Sequence, residues 1–540
     1  MYPLHILVSF LTLSLSANLA LCRSTCTINL NEEFRPREEP LILNVAGKEI
    51  LYPTHGSSIQ VKGGDKIRVF CGSKNFKNYK DHSEDTVLIQ CVTGNRFKTL
   101  RSPTGHGDPD SKTPLLQFLS YLLSASDSYQ GGGYFSCKAP LKSAVRRSGP
   151  CSILDKHRNN HLSEFNIGFQ VDAYLLPIIT VCFNTVLKSV LWSKHMVSPS
   201  VQYHMTKVAR IRFIQDRDAY GTLKNVEHLY DRNQQVETIS KLVNSKALAQ
   251  KYIQKDGHSL AYFARGHLSP KGDFVYSGEQ LATFHYINVA PQWQYFNGGQ
   301  WEKIESALRN YIVHNGVKVH VTTGTIGITQ LEDEKGEDKD IYLYYNQNKG
   351  EKLVKVPKLY FKLVQFGNSS SPLNVAIVGV NQPYENHVKM TTNDVICEDV
   401  CHRYPWLSSI SEQNDQRQSA GYIYCCTFKD FRSYLESAKD SMLEHTTLHD
   451  PMTFGEIRDT IELNEDSFGP NQEDVRTLVN TRLHDPVTFG EIRDDIELYE
   501  DRFGPNQEDI GDKIELNEDS VGPNQQDVRS LVNSLGKGPE

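Results

Sequence analysis

Past its N-terminus the 540-residue chain lacks any apolar run of the roughly 20 residues that a membrane-spanning helix needs, so no helical anchor is expected there. It also lacks a strong overall charge, the net being −7 at pH 7. That small sum hides an asymmetry. Residues 441–540 carry 24 Asp and Glu against 8 Lys and Arg, a net of −16, which leaves +9 (50 basic against 41 acidic) for residues 1–440. A mildly basic body, suited to a polyanionic partner, is thus followed by an acidic tail. The tail in turn lacks the Asp-x-Asp-x-Asp-Gly loop of a calcium-binding helix pair, which argues against calcium binding as its role.

What the tail does have is a repeat. LHDPMTFGEIRDTIELNEDSFGPNQED begins at Leu448 and returns from Leu483 with a period of 35 residues, and a shortened copy starts at Lys513. Each copy holds few large apolar residues and a Gly-Pro break, so a stacked solenoid is not expected. Residues 441–540 read as a largely disordered, solubilising appendage.

The opposite end, MYPLHILVSFLTLSLSANLALC, is an apolar run closing on small residues, the pattern of a secretory signal over 1–22. Eleven cysteines occur, and cleavage near Cys22 would leave ten, an even number that suits disulfides in an oxidising compartment. Cys397, Cys401, His402, Cys425 and Cys426 can also be read as a zinc site; in a secreted chain disulfides are the better reading, with connectivity open. The Asn368-Ser369-Ser370 sequon agrees with secretion. Residues 23–150 alternate apolar and polar between turns (LILNVAGKEILYP, SIQVKGGDKIRVFC, DTVLIQCV), which predicts a small β-rich domain. Gly131-Gly132-Gly133 within it reads as a turn, because no strand–loop–helix pattern frames it as a phosphate cradle. Residues 151–435 mix strands (ITVCFNTVL, VKVHVTTGTIGI, LNVAIVGV) with helices, an α+β pattern.

The chemistry concentrates between residues 262 and 315. Tyr262-Phe263 leads into Arg265-Gly266-His267, a second apolar run ends at Pro291-Gln292, and Asn297-Gly298-Gly299 precedes a helix. Trp301, Ile304, Leu308 and Ile312 recur at helical spacing as a buried stripe, with Glu305 and Arg309 four apart beside it and able to pair. The expected order is strand, strand, helix, with His267 ending the first strand and Asn297 at the start of the helix. A neutral imidazole can take a proton from water. A hard cation such as Mg²⁺ can be held by one amide oxygen while keeping most of its waters. Glu305 could hold a metal-bound water, and Arg265 and Arg309 offer planar forks for phosphate oxygens. Asp273 reads as a turn residue ahead of a metal ligand. Trp293, Tyr295 and Phe296 read as core ahead of base-stacking platforms. No recognition-helix pattern stands out, which favours binding to a sugar–phosphate backbone without sequence preference.

This stretch resembles the catalytic motif of the DNA/RNA non-specific endonucleases with a ββα-metal core, the family of the Serratia nuclease and mitochondrial endonuclease G. Arg265-Gly266-His267 fits the last three positions of that family's Asp-Arg-Gly-His tetrad. Asn288, Pro291-Gln292, Asn297, Trp301, Glu305 and Arg309 follow in its order and spacing. The resemblance covers roughly 150–435, and the leader and N-terminal region resemble the secreted arthropod branch. It implies His267 as general base, Asn297 as the direct ligand of Mg²⁺ (or Mn²⁺) and Glu305 as holder of metal-bound water. It further implies Arg265 and Arg309 as phosphate-binding groups and Asn288 as a supporting polar residue. The tetrad's first Asp is Ala264 here. Arg210 and Arg212 are candidates for a further basic residue upstream. The reading is a secreted, metal-dependent nuclease acting on DNA and RNA without stable membrane association; the alternative is a weakly active or inactive nucleic-acid-binding protein on the same fold.

Overall fold

The computed structural model describes residues 25–54, 56–72, 75–78, 85–100, 129–151, 161–254, 260–367, 371–381, 395–411 and 421–435. The expected leader, the Asn368 sequon and the acidic repeats lie outside the described residues. The alternating segments near the N-terminus form β1 (Thr25–Asn29), β2 (Leu41–Leu43), β3 (Ser58–Lys62), β4 (Lys66–Phe70), β5 (Thr86–Thr93), β6 (Arg96–Leu100) and β7 (Tyr129–Gln130). β1 pairs with β3, and β2-β4-β5-β6-β7 make a five-stranded antiparallel sheet. Their every-other apolar residues, Ile59, Val61, Ile67, Val69, Ile89 and Cys91, point inward and are buried. Disulfides Cys26–Cys91 and Cys71–Cys137 cross-link this part.

The strands that follow are β8 (Ala144–Pro150), β9 (Leu162–Val171), β10 (Tyr174–Asn184), β11 (Ser189–Val197), β12 (Phe263–His267) and β13 (Val289–Trp293). After them come β14 (Val319–Ile326), β15 (Gln330–Glu332), β16 (Asp338–Asp340), β17 (Tyr342–Asn346) and β18 (Glu351–Lys355). The last are β19 (Leu359–Gln365), β20 (Val375–Val380) and β21 (Tyr422–Cys426). An eight-stranded antiparallel sheet runs β21-β20-β19-β14-β11-β10-β9-β8, with β19 and β20 buried along their whole length. The arrangement is α+β, as expected. β8, which the sequence places before a boundary at residue 150, is the edge strand of this large sheet. One continuous apolar core runs through both parts, with Phe70 of β4 edge-on to Phe169 of β9 at 6.4 Å.

β12 and β13 form a separate antiparallel pair. Three helices flank them: α1 (Ser277–Ala282), α2 (Gln294–Asn297) and α3 (Gln300–Asn315). The expected stripe of α3 is buried, and Trp301 packs against Phe296 (5.4 Å) and against Tyr360 of β19 (5.7 Å). Removing side chains of that size from water stabilises by roughly 1.5–3 kcal/mol each. Gly316, in the left-handed region at φ +65°, stops the helix by the usual glycine closure.

Candidate active site

The β12–β13 register sets Ala264 opposite Gln292, Arg265 opposite Pro291 and His267 opposite Val289. Gly266 is required by sterics. A Cβ there would overlap the Gln292 side chain, 2.7 Å from its Cβ, so the Arg-Gly-His end of β12 can lie flat against β13 only without a side chain at its centre. His267, half-buried at the end of β12, sits between the rings of Phe213 (5.2 Å) and Phe284 (5.1 Å, edge-on). Arg265 donates from Nε to the Tyr286 hydroxyl (3.1 Å) and from Nη2 to the Glu227 carbonyl (3.3 Å). Its guanidinium also lies 5.2 Å from the Tyr230 ring. Rings on several sides restrict its rotamers. Arg210 and Arg212 are both exposed, and Arg212 adjoins the Phe213 that packs on His267.

Asn288 is wholly buried and uses both ends of its amide. Oδ1 accepts from the Ser193 hydroxyl (2.9 Å) and the Ser269 N–H (3.0 Å), while Nδ2 donates to the carbonyls of Ser269 (2.9 Å) and Thr283 (3.1 Å). Its backbone carbonyl accepts from Leu268 N–H at 3.0 Å. Asn288 therefore locks the two residues that follow His267. Asn297 ends α2, just ahead of Gly298-Gly299 and α3. Its Nδ2 donates to Gln294 at 3.4 Å, and among the described residues its Oδ1 accepts no hydrogen bond. Gln300, the first residue of α3, is buried with neither amide atom hydrogen-bonded among the described residues. An available hard oxygen donor beside unsaturated buried amides is chemistry that fits a hydrated Mg²⁺.

Further along α3 the charges gather. Arg309 turns to Asp273 (Nη1 to Oδ1, 2.9 Å) and Ser306 (3.0 Å) instead of pairing with Glu305. The expected four-apart pair gives way to a buried contact in which the arginine offsets the desolvation of Asp273. The second Asp273 oxygen faces His195 Nε2 at 2.8 Å. Burial would raise the Asp273 carboxyl, but the His195 hydrogen bond and the Arg309 charge draw it down to about 2. Each Asp273 oxygen is thus engaged by a protein donor. Lys362, wholly buried on β19, donates to Thr323 Oγ1 (2.7 Å) and lies 5.3 Å from the Trp301 ring. Burial pushes its ammonium down, opposed by the charges of Glu305 and Asp273. Glu305, almost fully buried, thus faces a buried cation across the sheet–helix interface.

Trp293 and Phe296 are core residues, in line with expectation, and Tyr295 is half-buried. The Gly131-Gly132-Gly133 turn is already occupied: Glu33 accepts the Gly133 N–H at 2.6 Å. Cysteines 397, 401, 425 and 426 form the disulfides Cys397–Cys426 and Cys401–Cys425, so no thiolate remains there for zinc. A grouping of Asp399, Cys401 and Cys425, the cluster of metal-ligating residue types among the described residues, falls with it. Sequence reasoning missed His195 and Lys362. Each had a signal: a cationic or titratable residue inside an otherwise apolar strand run, LWSKHMV and LYFKLVQF.

Residues 160–431 match the family model described as DNA/RNA non-specific endonuclease. A salivary endonuclease of Lutzomyia longipalpis is 32% identical over 269 residues, 49% of this chain and 59% of that protein. Salivary protein Tsal2A of Glossina morsitans morsitans is 22% identical over 75% of the chain and 90% of its own length. The mitochondrial nuclease EXOG of Homo sapiens is 27% identical over 33% of the chain and 49% of its own. The chain thus spans a little under three fifths of the sandfly protein's length.

Proposed function

The chain belongs to the DNA/RNA non-specific endonuclease family, and from that premise we propose that it is a secreted, metal-dependent endonuclease that hydrolyses phosphodiester bonds of DNA and RNA without sequence preference. The observation that carries the reading is the β12–β13–α3 unit, which presents His267, an Asn297 oxygen that meets no donor among the described residues, and Glu305 on one strand–strand–helix frame. Five disulfides join ten cysteines among the described residues, and relatives named as salivary proteins are in keeping with an extracellular setting.

His267, half-buried between two phenylalanine rings, takes a proton from the attacking water at its imidazole. The rings fix its plane and keep bulk water from competing for that position. Asn297 would hold Mg²⁺ or Mn²⁺ directly and Glu305 would hold it through water, the ion supplying charge neutralisation for the phosphoryl and leaving oxygens. Arg265 and Arg309 bring fixed positive charge to the phosphate oxygens. Asn288 touches no substrate in this scheme; it holds the turn after His267. Backbone contacts of this kind carry no base information, in keeping with cleavage that ignores sequence.

Ala264 supports a second reading, that of a protein which binds nucleic acid and turns it over weakly or not at all. The test is plasmid nicking and RNA degradation by the purified protein with Mg²⁺. Cleavage that a chelator abolishes, and that falls by about 10²–10⁴-fold in His267→Ala, is the expected outcome. Undiminished activity in that variant would remove His267 as the base. Binding without cleavage by the wild type would establish the second reading.

A further inference from the structure

We infer that His195 is a positioning residue for the site: it acts through Asp273 to hold Arg309 in register with the turn that carries His267. This rests on the nuclease reading above and adds a residue to it. His195 lies on β11, in the large sheet, and is buried. Both of its ring nitrogens are engaged. Nε2 is 2.8 Å from Asp273, whose other oxygen holds Arg309 at 2.9 Å; Nδ1 is 2.8 Å from the Ser269 hydroxyl. Ser269 Oγ in turn lies 2.7 Å from Ser193 Oγ, and Ser193 donates to Asn288 at 2.9 Å.

The result is an unbroken buried chain, Asn288–Ser193–Ser269–His195–Asp273–Arg309. One end is the amide that locks Leu268 and Ser269 behind the base. The other end is the guanidinium assigned to the phosphate. Ser193 and His195, both on β11, tie the 267–273 turn to the large sheet, and His195 through Asp273 adds helix α3 to it. Its ring is further fixed against Phe274 at 5.3 Å. Besides Asp273, Lys362 on β19 and His320 on β14 interact electrostatically with it. Arg309 also rests on Gly272, where any Cβ would stand 3.0 Å from Nη1, so its guanidinium has little freedom once Asp273 is placed. Catalytic geometry is sensitive to sub-ångström shifts, which is why a group that touches no substrate can still set the rate.

A core-filling role and a positioning role differ in how they combine with Arg309. The full-length protein is compared as wild type, His195→Gln, Asp273→Asn, Arg309→Ala and the two doubles with Arg309→Ala, measuring kcat and KM on a defined duplex with Mg²⁺. Positioning predicts that each single variant at 195 or 273 loses kcat by roughly tenfold to a hundredfold with KM little changed. It further predicts no added loss once Arg309 is already alanine. Losses that multiply in the doubles would overturn the inference while leaving the nuclease reading intact. Thermal unfolding checks the fold of each variant. Should His195→Gln fail to fold, Asp273→Asn carries the same cycle; failure of both would mean that these groups hold the core and would also overturn it. A wild type that cleaves nothing overturns both readings together.

Discussion

Gly266 and Asn288 show how single residues set the site without taking part in its chemistry. Gly266 has no room for a Cβ against Gln292, and the flat approach of β12 to β13 is what aims His267 and Arg265 from one strand end. Gly266→Ala is expected to destabilise by about 1–3 kcal/mol through overpacking, read as a lower thermal midpoint, and to reduce cleavage as the two side chains rotate. An unchanged midpoint would mean that β13 yields at no cost. Asn288 makes four side-chain hydrogen bonds with no solvent contact, so its place in the motif reflects polar saturation of a buried turn.

At the scale of elements, α3 is the lever that brings Glu305 and Arg309 to the sheet, and its buried stripe sets its angle. The C-terminal β21 closes the large sheet and is held by two disulfides, Cys397–Cys426 and Cys401–Cys425, spanning 29 and 24 residues. Closing a loop of the smaller size in the unfolded chain is worth about 3 kcal/mol in the chain-entropy account. Replacing Cys401 and Cys425 together by serine should lower the free energy of denaturant unfolding by about that amount. A chelator should leave the same transition of the native protein unchanged, since these sulfurs bind no metal. Loss of the fold on chelation would restore the zinc alternative.

At the scale of the whole molecule, the N-terminal sheet is docked on the nuclease fold through buried acids. Glu279 on α1 accepts from the Tyr52 hydroxyl (2.6 Å) and from Tyr276 N–H (3.1 Å), while Glu39 accepts from Ser277 N–H (2.5 Å). Burial raises the Glu279 carboxyl from 4.5 to about 7, with Glu39 adding to the rise. A carboxyl raised by folding favours the folded state in full below about pH 4.5 and loses that contribution as pH climbs through 7. Asp273, lowered to about 2, has the opposite sign but changes only below about 4, outside that window. The imidazoles of His195, His204 and His320, held low mainly by burial, work the other way between pH 5 and 8, so the Glu279 contribution is read as the stability of wild type minus that of Glu279→Gln, which should fall by up to about 3 kcal/mol from pH 5 to pH 8. A difference that stays constant from pH 5 to 8 would show that Glu279 is ionised in the fold throughout.

The strand periods, the stripe of α3 and the Arg-Gly-His, Asn, Glu, Arg spacing were legible in the sequence, because each is a local pattern of alternation or of helical turns. So was the preference for disulfides over zinc, which follows from compartment and not from geometry. What the tertiary structure decided is who meets whom across long separations. Arg309 pairs with Asp273 across 36 residues and not with Glu305 four residues away, because the fold sets Asp273, beside the turn after β12, against its guanidinium. His195, 74 residues before Ser269, becomes the hinge-pin of the polar chain only once β11 is laid beneath the site. β8 leaves the N-terminal stretch for the edge of the large sheet. Local pattern specifies elements because side-chain period is a property of the backbone; the partner of a buried charge is set by which elements the core brings into contact.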